Sequence, residues 1–302
     1  MRQKTVNANE NFGVYQQSNL QRARKILGNF KKTRLPVRKK QSRMPGLSVI
    51  ILNLDRPEYI IPLTRQLQAE GKAFAADGIF FEVLIGDTGS RDKSVLAQYK
   101  KIQKEKEFRI ISGFKYHFSR NNNSIAEKEA KAATLLFLNN DIILDKAHKT
   151  LRAMYAEFEK SGGHDIFGPY LHYPDQTIQH AGVYFSRKTE NLYFPYHAAR
   201  GDKVPARMLK NGKVVPAVTG AFLMIAAELF ASAGRFDEEF QRECQDISLC
   251  LSAHRLGARS VVCNSGKIIH VENGTREAND SSLKDRAYFL RKWSSYIEAG
   301  NR

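Results

Sequence analysis

Three cysteines in 302 residues, Cys244, Cys250 and Cys263, are too few for a disulfide framework and point to a reducing compartment. No apolar run approaches the roughly 20 residues that span a bilayer, and no signal-type apolar segment opens the chain, so a cytoplasmic location is expected. Nine prolines, 20 glycines and a 42% hydrophobic content exclude a collagen-like chain and global disorder. Several nucleotide and nucleophile signatures are also missing. No G-x-G-x-x-G follows the first apolar run and no Walker A sequence occurs, which argues against dinucleotide oxidoreductases and P-loop NTPases. No G-x-S-x-G elbow marks an α/β-hydrolase, and Cys244 and Cys250 lack zinc-ribbon spacing.

Acid is the scarcer charge, with 31 Asp plus Glu against 48 Lys plus Arg, a net +17. Residues 1–45 hold twelve of the basic residues and one acid, Glu10, for a net +11, which leaves +6 for the other 257. The excess therefore belongs to an N-terminal arm. Within it Phe12, Tyr15, Leu20, Ala23, Leu27 and Phe30 recur at helical spacing, although Gly28 weakens a helix and Pro36 ends it. Three readings fit this pattern. One is an amphipathic helix on an anionic membrane, where each basic residue contributes about 1 kcal/mol. The others are a helix packed on the body ahead of a solvated linker, and phosphate contacts to nucleic acid.

From residue 46 the chain alternates buried-type strands with helices. Strands are expected at 47–52 (LSVIIL), 80–85 (FFEVLI), 108–112 and 134–138 (TLLFL), with helices near 58–70, 92–106 and 122–133. This is the pattern of a parallel α/β sheet with right-handed crossovers, whose ligands bind at the carboxyl ends of the strands. After residue 145 the pattern changes. A helix to about 160 precedes strand-like pieces at 165–172, 178–186 and 221–226, with a long polar connection over 184–216. A helix near 246–256, strands at 259–262 and 268–270, and an amphipathic helix at 282–297 complete the chain.

Two acids directly follow apolar strands, Asp87 and Asp141. A carboxylate there can accept hydrogen bonds from a base or sugar, or bind a divalent cation through oxygen. Either could equally cap the next helix or make a turn.

The order SVIILNLDRP, EVLIGDTGSRDKS, LLFLNNDIIL resembles the nucleotide-binding half of a family 2 glycosyltransferase. The similarity continues through IQHAGV (178–183), AVTGAFLMI (217–225), GRFDEEF (234–240), CQDISLCLSAHRLG (244–257) and HVENGTR (270–276). The stretches YHFSRNNN (116–123) and YFLRKW (288–293) are similar to members that make rhamnose-containing or O-antigen polysaccharides. Coverage is roughly 46–296. The resemblance implies a GT-A fold with a nucleotide-sugar half over 46–141, an acceptor and catalytic half over 142–281, and a C-terminal helix over 282–302.

It also implies an inverting transfer from a UDP- or dTDP-sugar to a saccharide or lipid-linked saccharide in cell-surface polysaccharide synthesis. Asp87 would bind the pyrimidine, with Asn53 and Asp55 lining the same pocket and Asn139 and Asn140 beside them. Asp141 and His270 would hold Mg²⁺ or Mn²⁺ on the diphosphate, which leaves with developing negative charge. Asp246 occupies the general-base position. Thr219 and Gly220 would lie beneath the donor sugar, and Glu272, Thr275 and Arg276 on a loop over the diphosphate, where Arg276 can pair with phosphate.

On residue chemistry alone His270 also fits a hydrogen-bonded histidine at a strand end, Asp246 a first-turn helix acid, and Cys244 a small apolar filler. The chain departs from the family pattern at Asn139, where an earlier Asp is usual, at Gln245 before the base, and at Ser248 in place of a frequent Asp. These departures leave room for a catalytically silent sugar- or nucleotide-binding subunit. The body carries no recognised nucleic-acid motif, so an anionic membrane surface, reached through residues 1–45, is the expected partner of the arm.

Overall fold

The apolar runs that open the body become neighbours in a parallel sheet, as their β-branched, doubly buried character requires. The computed structural model of the protein describes residues 43–145, 150–189, 192–205, 208–272 and 280–301; the arm up to residue 42 lies outside them. Strand β1 (Met44–Asn53) pairs in parallel with β2 (Phe80–Asp87), in a register that sets Asn53 opposite Asp87. Beyond β2 lies β3 (Phe108–Ile111), and on the other side of β1 lies β4 (Ala132–Leu138), both parallel to their neighbours. The crossovers are α1 (Pro57–Ala76), α2 (Lys93–Ile102) and α3 (Phe118–Lys128). A parallel order of β3-β2-β1-β4 brings the ends of β1, β2 and β4 to one edge of the sheet.

The second half extends the same sheet. After β5 (Ile142–Ile143) and α4 (Thr150–Lys160) come β6 (Ile166–His172), β7 (Ile178–His180) and the hairpin of β8 (Val183–Thr189) and β9 (Leu192–His197). The chain continues through β10 (Lys213–Val215), β11 (Phe222–Ala226), α5 (Ala227–Ser232), α6 (Gln245–Arg255), β12 (Ser260–His270) and α7 (Asp280–Asn301). Strand β11 runs antiparallel between β4 and β6, and β12 follows β6 in parallel. Alternation along the strands supplies two cores. Val49, Ile51, Val83 and Ile85 face α1, α2 and α4, while Ile50, Leu84 and Phe137 face α3, α5, α6 and α7.

Several boundaries differ from the sequence pattern. Helix α1 runs on to Ala76 with Pro62 inside it; near the helix start the ring removes only the bond that would reach the Glu58 carbonyl. Helix α3 starts at Phe118 rather than 122, and β4 begins at Ala132. The run Asn121–Asn122–Asn123 discourages a helix in isolation, yet all three side chains are buried and bonded. Asn123 donates to Phe236 O (2.8 Å) and accepts from Phe236 N (3.0 Å), fixing α3 to the segment after α5. The single strand expected over 178–186 breaks at Gly182, at φ 100°, where a Cβ would lie 2.6 Å from Val215 Cγ1. Part of the polar 184–216 connection is the β8–β9 hairpin.

Helix α7 is anchored by Trp293, which is fully buried and donates its indole N–H to Ser248 Oγ at 3.0 Å. The Arg255 guanidinium stacks over its ring at 4.4 Å. Ser248 is therefore a buried hydrogen-bond partner of the last helix. Among the described residues no helix is long and apolar enough to cross a membrane.

His254 of α6 is also sealed inside, with Nε2 3.1 Å from Ser260 Oγ at the start of β12. Burial drops its pKa from 6.5 to about 4. Between those values the unfolded chain binds a proton that the folded chain refuses. Stability is therefore complete above the unfolded value, is lost as pH falls through it, and the loss levels off below the folded value at about 3 kcal/mol from this group. Urea midpoints should fall between pH 7 and 4.5, and the slope should be shallower in His254→Gln; an unchanged slope would remove this residue from the acid sensitivity.

Candidate active site

Polar side chains gather where β1, β2 and β4 stop. Asn53, 2% exposed, closes β1. Its Nδ2 donates to the Tyr99 hydroxyl (2.7 Å) and to Asp55 O (3.0 Å), and its Oδ1 accepts from Asn140 Nδ2 (2.7 Å). Tyr99 reaches across from α2 and donates onward to Asp87 Oδ1 at 3.3 Å. Burial, reinforced by the Asp87 charge, pushes its pKa well above the ordinary tyrosine value, so the hydroxyl remains a donor. Asp87 also accepts from Gly89 N and Ser90 N, both 3.2 Å from Oδ2. The carboxylate is thus fixed at the end of β2 by a phenol and two amides.

Asp55 performs a different local task. It adopts φ 52°, and its Oδ1 accepts from Arg91 N (2.6 Å) and Asp92 N (2.7 Å). The amides of Asp92 and then Arg91 hold its pKa below the usual carboxylate range. Its own N–H donates to Ser90 Oγ at 2.8 Å. Asp55 therefore clamps the loop after β1 to the loop after β2.

Asp141 and His270 meet where β5 pairs with the end of β12. His270 Nε2 lies 3.2 Å from Asp141 Oδ1 and 3.3 Å from Asn139 Nδ2. On the far side of the ring, Nδ1 lies 2.7 Å from Gln179 Oε1. The Gln179 amide cannot be turned over, because its Nε2 faces two acceptors, His270 O at 3.3 Å and Glu272 Oε2 at 3.1 Å. Its Oε1 therefore accepts from Nδ1–H, and a ring carrying that single proton presents its lone pair at Nε2. Nε2 and a carboxylate oxygen then approach as two acceptors, an arrangement that suits a shared cation. Metal-ligating histidines usually donate their other ring N–H to an outer acceptor in this manner. Asp141 and His270 thus fit as a two-residue donor pair for a hard divalent cation, the remaining positions belonging to phosphate or water. Among the described residues no cluster of three or more His, Cys, Asp or Glu could hold a metal by itself.

Asp246 stands in the first turn of α6, after Cys244 at φ 68°. Its Oδ2 accepts from Gly220 N at 2.6 Å and its Oδ1 from Ile247 N at 2.8 Å. A Cβ on Gly220 would sit 3.1 Å from Asp246 Cβ and 3.3 Å from Oδ2, so a side chain there would have to push the Asp246 side chain aside by a few tenths of an ångström. Thr219 Oγ1 accepts from Ala221 N at 3.3 Å, and Ala221 O accepts from Asn139 N at 2.9 Å. Through this turn Asp246 is connected to the end of β4, beside Asp141. Cys244 is buried, and burial raises its thiol pKa far above the ordinary value, which agrees with an inert filler.

Of the residues singled out in the sequence, Asn53, Asp55, Asp87, Asn139, Asn140, Asp141, Thr219, Gly220, Asp246 and His270 join one hydrogen-bonded arc along the sheet edge. Arg276 and Thr275 lie outside the described residues. Two contributors escaped sequence reasoning. Tyr99 occupies an apolar-face position of a helix and carries no signal of its own. Gln179 sits in the IQHAGV motif, where its role depends on a strand 91 positions away.

No family model matches the chain. The chain is 27% identical over 261 residues to the O-antigen biosynthesis protein RfbC of Myxococcus xanthus, a match covering 86% of this chain and 19% of that protein. It is 24% identical over 221 residues to the rhamnosyltransferase WbbL of Escherichia coli K12, covering 70% of this chain and 78% of the relative. Among solved structures it superposes on GalNAc-T7, determined with UDP, GalNAc and Mn²⁺, at a TM-score of 0.62 and 14% identity, over 84% of this chain and 49% of the other. Residues 1–349 of Staphylococcus aureus TarS give 0.55 and 16%, over 83% and 65%. The fold is the GT-A fold of glycosyltransferases, as the motif order implied.

The Gln179 lock gives a direct check. Imidazole ¹⁵N NMR at neutral pH should show His270 protonated on Nδ1, and Gln179→Leu should shift the ring toward a mixture of tautomers. An Nε2–H tautomer in the unaltered chain would contradict the arrangement.

Proposed function

We propose that the chain is an inverting glycosyltransferase that moves a sugar from a UDP- or dTDP-sugar to a saccharide or lipid-linked saccharide acceptor in cell-surface polysaccharide synthesis. The observation that carries this reading is the hydrogen-bonded arc in which Asp87, the Asp141–His270 pair and Asp246 share one edge of a GT-A sheet. The names of the relatives, O-antigen biosynthesis and rhamnosyl transfer, support the substrate class. The chain spans only 19% of the first relative's length, so the activity of a longer assembly is part of the same proposal.

In this reading the loops after β1 and β2 form the nucleotide pocket, with Asp87 accepting from the pyrimidine ring and Asn53 and Tyr99 holding it in place. Thr219 and Gly220 underlie the donor sugar, where a side chain at 220 would crowd both the sugar and Asp246. Asp246 takes the proton of the acceptor hydroxyl as its oxygen attacks the anomeric carbon from the face opposite the diphosphate, which inverts the configuration. Gly220 N–H and Ile247 N–H aim the carboxylate and leave it lone pairs for that proton. Asp141 and His270 would hold Mg²⁺ or Mn²⁺, which when bound neutralises the charge developing on the departing diphosphate. Asn139, with its Nδ2 toward His270 Nε2, contributes an amide where a second acid is common in the family. The 46–141 segment thus serves the nucleotide-sugar and 142–281 the acceptor.

Purified protein with Mn²⁺ or Mg²⁺ should release nucleoside diphosphate from a UDP- or dTDP-sugar only when an acceptor is present. Asp246→Asn should lower kcat by about 10²–10⁴ with donor KM little changed, the contribution typical of a general base. Full activity in that variant would overturn the base assignment, and nucleotide binding without turnover across a broad acceptor panel would leave a silent binding subunit. Asp141→Ala should raise the metal concentration needed for half-maximal turnover by at least about tenfold, the cost of losing even an outer partner of a metal site; an unchanged metal dependence would misplace the metal pair.

The basic arm is proposed to place the enzyme on an anionic membrane surface. Its deletion should stop at residue 42, because the Arg43 guanidinium donates to Ala130 O (2.8 Å) and Ala126 O (2.9 Å) in the body. The shortened protein should lose flotation with phosphatidylglycerol vesicles and keep turnover; equal flotation would contradict the proposal.

A further inference from the structure

Strand β7 turns Gln179 toward His270 and the next residue, His180, to the opposite side. His180 is fully buried, and its Nδ1 lies 2.9 Å from Nδ1 of His197, the last residue of β9, with the rings at 72°. Two ring nitrogens at that distance share one proton, so one ring donates and the other accepts. Among the described residues the remaining nitrogen of His180, Nε2, is buried without a hydrogen-bond partner. Were His180 the acceptor, its own proton would be stranded on Nε2. Orphaned N–H groups in protein interiors are rarer than under-used acceptors. His180 therefore carries its proton on Nδ1 and donates it, and His197 must carry its proton on Nε2.

His197 is only partly buried, and its ring meets His180 through Nδ1, which leaves Nε2 as the outer nitrogen. The charged and titratable groups acting on it are Asp246 of α6, Arg200 after β9, and Glu272 and His270 at the end of β12; Lys213 of β10 acts on His180. Burial outweighs the two carboxylates and keeps the His197 imidazole below its ordinary pKa, and His180 lies lower still. A neutral N–H beside carboxylates suits an uncharged oxygen better than a phosphate.

We propose that His197 is a tautomer-locked Nε2–H donor to a hydroxyl or ring oxygen of the saccharide that reacts beside Asp246, and that His180 is the positioning residue that sets this tautomer. The proposal rests on the glycosyltransferase reading for its ligand, whereas the tautomer assignment rests on geometry alone.

The test has two arms on the full chain. Long-range ¹H–¹⁵N correlation of ¹⁵N-histidine-labelled protein at neutral pH should show His180 as the Nδ1–H form and His197 as the neutral Nε2–H form. An Nδ1–H or doubly protonated His197 overturns the proposal. In the second arm, methyl glycosides of rhamnose, glucose and N-acetylglucosamine serve as acceptor probes, and UDP with Mn²⁺ as the nucleotide probe. His197→Phe should raise acceptor KM about tenfold, the loss expected for one hydrogen bond in a partly desolvated site, with UDP affinity within about twofold. His197→Gln should recover part of the loss by returning an N–H, and His180→Leu should show a smaller version of the defect. An unchanged acceptor KM in His197→Phe, or a loss of UDP binding with it, overturns this proposal while leaving transfer by the unaltered chain intact. An unaltered chain that neither binds UDP or dTDP nor transfers to any probe instead overturns the glycosyltransferase reading, and the saccharide assignment with it.

Discussion

The turn Thr219–Gly220–Ala221 splices the two halves of the molecule, and the site depends on it. Strand β11 enters antiparallel beside β4, so this turn falls at the carboxyl end of β4. There Ala221 O takes the Asn139 amide and the Gly220 amide reaches Asp246 at 2.6 Å. The first bond ties the turn to the segment that carries Asp141; the second aims a carboxylate that belongs to a different helix. A parallel sheet alone would gather the ends of β1, β2 and β4, and without the antiparallel insertion no group from α6 would join them.

Neutral groups hold the charged ones throughout this edge. Tyr99 and two backbone amides fix Asp87, Gln179 fixes His270, and the amides of Gly220 and Ile247 fix Asp246. Neutral donors orient a carboxylate without cancelling its charge, and a neutral amide oxygen fixes the imidazole tautomer, which leaves the charge and the ring lone pair for a ligand. The outer part of the site is different. Glu272, at φ 45°, is bound by Arg200 at 3.1 Å, by Tyr173 at 2.9 Å and by Gln179.

Much of this was legible in the sequence because the signals are local. Strand β2 and the acidic loop after it could be read from an apolar run followed by D-T-G-S, and Asp141 from the run that ends in N-N-D. The parallel pairing of the first strands followed from the alternation of strands and helices, though their order in the sheet did not. What could not be read depends on partners far away in sequence. Asn121–Asn123 become helical because Asn123 finds the backbone of Phe236, a pairing no window of sequence contains. Gln179 matters because β12 delivers His270 and Glu272 to it, and Ser248 makes sense in place of an acid only once Trp293 is seen to donate to it. The net charge of +17 divides the same way: most of it belongs to the arm, and the site itself is built from acids, amides and a histidine.

The proposed donor site places a nucleoside diphosphate at the carboxyl edge of the sheet, with Asp87 at its base and Asp141 and His270 at its phosphates. A crystal of the chain with UDP and Mn²⁺, measured at the manganese absorption edge, tests it most directly. The account predicts one anomalous peak within bonding distance of both Asp141 and His270, with the uracil against Asp87. Manganese bound away from that pair, or UDP seated elsewhere on the molecule, would contradict it.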